Sequence, residues 1–293
     1  MIDINLGFAS VADDLQIYGF CLPINSQRLQ SKMAACISEV ETWLSSNSLL
    51  LNKDKTEVMW FSSARRRLAL PSHSLPIGDV IISPVPCVRS LGIFIDNDLS
   101  FKTQVSKTVS CCFSSLRLIR SIRHSIPQSV LRSLLSALVF SRLDYGSVIL
   151  TGLPKVQQRR LQAVLNASVR LLCSPDFRTR LDPLMKEFGW LKIPDRIAFN
   201  MSCLTHRCLH SKGPSYLTDA LHLATENSHK RKLRNSGSLS LLVPPTAHKT
   251  LGDRAWCVAA PRTWNHIPPH IRDIANFHSF TKALKANFLV NYS

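Results

Sequence analysis

The sequence predicts an α+β protein, with β-hairpins and a helix over roughly residues 1–100 and a mainly α-helical remainder. Three observations carry this. Short runs of β-branched and aromatic residues, punctuated by Gly and Pro, dominate the first hundred positions. From Ser100 onward, apolar residues recur at three- and four-residue intervals over long stretches. The chain has 293 residues and is 45% hydrophobic, enough for about two domains with buried cores.

In chain order, Phe8–Phe20 holds two short apolar runs on either side of Asp13-Asp14, a pattern for a tight hairpin with two carboxylates at its tip. Ser26 caps a helix running to about Ser46, because Leu29, Met33, Ile37, Val40 and Leu44 fall on one face. An extended run at Thr56–Phe61, a basic turn at Arg65–Arg67 and a Pro-rich stretch then lead to a strand at Val88–Ile95. Helices follow at Phe101–Arg123, Gln128–Leu143 and Lys155–Leu172, separated by Pro127 and by Gly152-Leu153-Pro154. A further helix spans Asp195–His210 and stops at Gly213-Pro214. Thr225–Lys249 reads as a long polar loop that carries the basic patch Lys230-Arg231-Lys232-Arg234. Trp256, Trp264 and Phe277–Phe288 suggest short helices packed through aromatics.

Charge narrows the function. The chain carries 36 Lys+Arg against 19 Asp+Glu, a net +17 that favours a polyanionic partner, nucleic acid first. Residues 1–150 have 15 basic and 11 acidic side chains, whereas residues 151–293 have 21 and 8. Between Asp98 and Asp176 the only acid is Asp144, among eleven Lys and Arg. Nine cysteines without a CxxC or a regular framework read as reduced thiols. No apolar stretch reaches the ~18–20 residues of a membrane span, and the first residues lack a targeting pattern. The chain is thus expected inside the cell, in the nucleus and/or the cytoplasm, with no membrane partner.

An Asp-Asp pair between two apolar strands suits hard divalent cations, which take carboxylate oxygens together with substrate phosphates. Two such ions about 4 Å apart stabilise phosphoryl transfer. Here the chain resembles a known family. FASVADDLQIY resembles the metal-binding hairpin of reverse transcriptases. LLLNKDKTEVMWF and VRSLGIFIDNDLSF resemble the next two motifs of the LINE-type (non-LTR, jockey-like) retrotransposon enzymes. Further likeness runs through SRLDYGSVIL, LQAVLNASVRLL, GPSYL, RKLRNSG and GDRAWCVAAPRTWNHIPPHIRD.

The resemblance implies a truncated reverse-transcriptase palm over 1–100, a helical thumb-like region over 101–175 and a basic helical region over 176–293. Asp13 and Asp14 would be the catalytic metal ligands for Mg²⁺ (or Mn²⁺), and Lys55 would lie near the nucleotide phosphates as charge stabiliser or proton donor. Leu91 and Gly92 would sit in the hairpin that grips the primer backbone, where glycine permits close approach. Lys102, Lys107, Arg117, Arg120 and Arg123 would track an RNA template and DNA primer. Val11 departs from the aromatic usual at its position. The upstream palm strand and fingers would precede Met1, so the chain alone is expected not to polymerise. The alternative is a non-catalytic basic module that binds RNA or DNA.

Cys203, His206, Cys208 and His210 offer zinc-competent ligands, but Cys208 points away from the face shared by the other three, so a core-facing helix is expected and zinc is not. Trp256 and Trp264 are read as core anchors and the histidines around Pro268-Pro269 as structural. Neither GxSxG, HExxH nor a GxxxxGK[ST] loop occurs.

Overall fold

The computed structural model describes residues 6–11, 14–62, 74–77, 80–173, 178–224, 239–246, 250–290 and 292. It is an α+β fold that divides into two compact units, Met1–Thr103 and Gln104–Ser293.

In the first unit, β1 (Leu6–Val11) pairs antiparallel with β2 (Asp14–Gly19), in a register that sets Val11 opposite Asp14 and Gly7 opposite Tyr18. Tyr18 lies across the strand so closely that a Cβ on Gly7 would stand 2.4 Å from its ring; only glycine leaves room for this cover. Helix α1 (Ser26–Ser46) buries Leu29 and Ile37, the face its periodicity predicts. Ile37 packs with Leu75 and Ile77 of β3 (Leu75–Ile77), with Ile17, Val58 and Ile82 around them. Strand β4 (Val80–Ile82) pairs with β3, and Gln30 Nε2 donates to the Ser74 carbonyl at 2.9 Å.

The stretch read as a strand at Val88–Ile95 is a hairpin, β5 (Cys87–Ser90) and β6 (Ile93–Asp96), turning at Leu91-Gly92 where the family resemblance implies a hairpin. Both turn residues have positive φ, 47° and 82°, the type I′ arrangement whose twist matches the flanking strands. Leu91, with its Cβ, hides this turn from a reading that looks for Asn-Gly or Asp-Gly. Thr56–Phe61 forms no strand; it is held by single bonds, such as Val85 N to the Val58 carbonyl at 2.8 Å. The basic turn Arg65–Arg67 lies outside the described residues.

In the second unit, helix α2 (Lys102–Ile122) buries Val105, Cys112, Leu116 and Ile119. The helix expected over Gln128–Leu143 is interrupted: α3 (Gln128–Leu135) runs into a π-turn at Ser136–Phe140 and then α4 (Ser141–Asp144). The wide turn lets Val139 and Phe140 both point into the core, which a regular 3.6-residue repeat does not allow for adjacent residues on top of Leu131 and Leu135.

Helix α5 (Lys155–Cys173) buries Leu161, Val164, Leu165, Val169 and Leu172. Short α6 (Asp182–Glu187) precedes α7 (Ile193–Leu209), the helix against which much of this unit packs. After α8 (Ser215–Thr218) come α9 (Trp256–Asn265), α10 (Pro269–Arg272) and α11 (Phe277–Val290). Trp264, Ile271, Phe280 and Leu284 make a core cluster with Leu241. Within the stretch read as a long polar loop over Thr225–Lys249, Leu241 is buried and bridges Leu223, and Leu239 accepts the Trp264 indole N–H at 2.6 Å. The patch Lys230-Arg231-Lys232-Arg234 lies outside the described residues. Among the described residues no helix is long and apolar enough to cross a membrane.

Candidate nucleic-acid interface

The predicted catalytic residues belong to the first unit. Asp14 opens β2 and is exposed, while Asp13 lies outside the described residues. Lys55 ends a 3₁₀ turn, Lys53–Lys55, and is also exposed. Asn52 fixes that turn, its side-chain oxygen accepting the Lys55 N–H at 3.1 Å, and Lys53 bridges to Glu41 of α1 at 2.7 Å. Asp14 by itself offers one carboxylate, which holds a hydrated divalent cation only together with substrate phosphates. Among the described residues no group of three or more His, Cys, Asp or Glu is placed to hold a metal ion.

Leu91 and Gly92 form the tip of the β5–β6 hairpin, with Leu91 exposed despite its left-handed backbone. Gln16 of β2 donates to Ser90 Oγ beside this tip at 2.7 Å. Sequence reasoning passed over Asp96, at the end of β6. It is buried and accepts both the Ser100 hydroxyl and the Thr103 N–H at 3.2 Å, which satisfies a donor in the first turn of α2. A carboxylate six residues ahead of a helix start is too distant for a capping pattern to reveal.

The predicted duplex contacts divide. Lys102, Lys107, Arg117 and Arg120 are exposed on α2, whereas Arg123 is half-buried in the 3₁₀ turn that follows it. Three other arginines of the basic stretch hold the fold: Arg132 donates to the Phe188 carbonyl, Arg142 to the Cys111 carbonyl and Ser115, and Arg160 to Gln157 and Ser106. Asp144 is clamped by Arg196, whose Nε and Nη2 donate to its two oxygens, the latter at 2.6 Å. Asn200 links Asp144 to Ser147, at 3.3 and 2.8 Å.

Of the Cys and His residues on α7, His206 is buried and stacks on Phe280 with centroids 4.3 Å apart. Its Nε2 lies 2.8 Å from the Ile274 carbonyl and so carries the proton. Burial lowers the His206 pKa and pushes the Cys203 thiol up to about 12, so both groups are held neutral. Cys208 is buried against Gly213, where a Cβ would meet its Sγ at 2.5 Å. Trp256 and Trp264 donate to the Leu217 and Leu239 carbonyls at 2.9 and 2.6 Å.

Comparison of the chain with protein-family models, with curated proteins and with solved structures finds no match.

Proposed function

We propose that the chain handles nucleic acid as part of a LINE-type retrotransposon reverse transcriptase, with palm-like hairpins in its first unit and a helical region that holds template–primer duplex. The observation that carries this reading is the row of exposed cations on α2, directly after the β5–β6 hairpin in the chain. Exposed Lys and Arg along a helix are the means by which proteins neutralise phosphates without reading sequence. The order of the segments holding Asp13-Asp14, Lys55 and Leu91-Gly92 supports the same reading.

Mobility of a labelled RNA–DNA hybrid tests it. The purified chain retards the hybrid at low salt and releases it as salt rises. Replacing Lys102, Lys107, Arg117 and Arg120 by Gln flattens the salt dependence, by about 0.9 in log–log slope for each phosphate that is no longer neutralised. An unshifted hybrid at low salt overturns the proposal. Primer extension on an RNA template with Mg²⁺ or Mn²⁺ then separates chemistry from holding. Incorporation above that of an Asp13→Asn, Asp14→Asn variant assigns polymerisation to the chain, whereas duplex binding without incorporation assigns it the binding role only.

A further inference from the structure

A groove of about 530 Å³ lies within the second unit. One wall is the polar face of α5, which presents Lys155, Arg159 and Arg170. The other is the segment that leads into α6 and the first turn of α7, with Asp182 and Lys192. Among the described lining residues there are four cations and one carboxylate. That carboxylate is already matched: Lys192 Nζ sits 2.8 Å from Asp182 and 4.7 Å above the Tyr292 ring. Lys155 and Arg159, both exposed, therefore leave an excess of positive charge facing the groove.

The groove is fixed in shape. Gln162 at its floor accepts the Ile193 N–H at 2.9 Å and donates to Asn166 at 2.9 Å, which joins α5 to the start of α7. Lys155 is the first residue of α5, where the helix dipole is positive and a cation is unfavourable. No acid in that turn offsets it. A cation in such a place is explained by an anion that neutralises it.

We propose that this groove binds the sugar–phosphate backbone of a single-stranded nucleic acid. At about 530 Å³ the groove has room for the backbone of one strand. Among the described residues no aromatic side chain lines the groove, and recognition there falls on phosphates. Arg159 and Arg170 share a face of α5 and stand about 16 Å apart along it, room for several successive phosphates of one strand. The inference rests on the nucleic-acid reading above and adds to it a second contact of a different kind, for a strand instead of a duplex.

Fluorescence anisotropy with labelled twelve-residue oligo-U and oligo-A, measured on the full chain over a salt series, tests it. Both oligomers bind alike. A Lys155→Gln, Arg159→Gln variant loses about tenfold in affinity for them, and its log–log salt slope falls by about 1.4, since each neutralised single-strand phosphate contributes about 0.7. Lys155→Arg, Arg159→Lys keeps both properties, and circular dichroism shows each variant folded. Unchanged single-strand binding in the Gln variant overturns the proposal. So does displacement of the oligomer by oligoglutamate of equal charge as readily as by unlabelled oligo-U, which assigns the groove to acidic peptides. The two readings fail separately: hybrid binding without single-strand binding overturns this one alone, and single-strand binding without hybrid binding overturns the duplex reading alone.

Discussion

Leu91 occupies a backbone region, φ 47°, that costs a residue with a Cβ roughly 1 kcal/mol relative to glycine. Replacing it with Asn or Gly, the residues a type I′ turn prefers, is expected to stabilise the chain by about 1 kcal/mol and raise its melting temperature. An unchanged or lower midpoint shows that packing of the leucine outweighs the strain. His206 sets a pH dependence of the opposite character. Burial is the main cause of its lowered pKa, with His210 and Lys212 adding to it and the Ile274 carbonyl opposing. Among the described residues its buried Nδ1 has no partner, so a second proton there finds no acceptor. The unfolded chain therefore binds that proton more readily than the folded one, and stability falls as pH drops below about 6.5, the ordinary histidine value. Thermal melts of wild type and His206→Phe across pH 5 to 7.5 check this. The variant loses that part of the slope; identical slopes in the two proteins reject the assignment.

At the level of elements, helices with one apolar face were readable because burial and periodicity coincide. The predicted face of α1 is the buried one, and α2 and α5 end within a few residues of their expected limits. What escaped depends on geometry with no local pattern. The π-turn at Ser136–Phe140 changes the phase of a helix without changing its composition, and Leu241 is buried by a distant Trp264, not by its polar neighbours. The clamp between α4 and α7 is of the same kind, for Asp144 and Arg196 are 52 positions apart. Its two parallel bonds suit a planar guanidinium and not an ammonium, and Arg196 also lies over the Phe140 ring at 5.1 Å. Arg196→Lys is expected to cost about 2 kcal/mol in chemical denaturation, since charged hydrogen bonds contribute about 1.5–3 kcal/mol each and the lysine retains part of the attraction. A loss below about 0.5 kcal/mol removes the clamp from the determinants of stability.

For the whole molecule, the sequence showed where positive charge accumulates but not which charges are available to a partner. Arg132, Arg142 and Arg160 look the same in the chain as Arg117, Arg120 and Arg159, yet the first three bond to carbonyls and side chains of their own fold. Sorting them required the tertiary structure, as did the groove, whose walls come from segments separated by some twenty residues. The β1–β2 hairpin was legible, because two short apolar runs around Asp13-Asp14 form a local pattern. Asp96 was not, because its partners lie across a turn. The one acid between Asp98 and Asp176 adds a consequence for handling the protein. The partly buried Asp144–Arg196 pair is screened far less by salt than exposed phosphate contacts are. Strong brine therefore screens the exposed cations while α4 stays docked on α7, and a high-salt wash is expected to remove adsorbed polyanions without unfolding the protein.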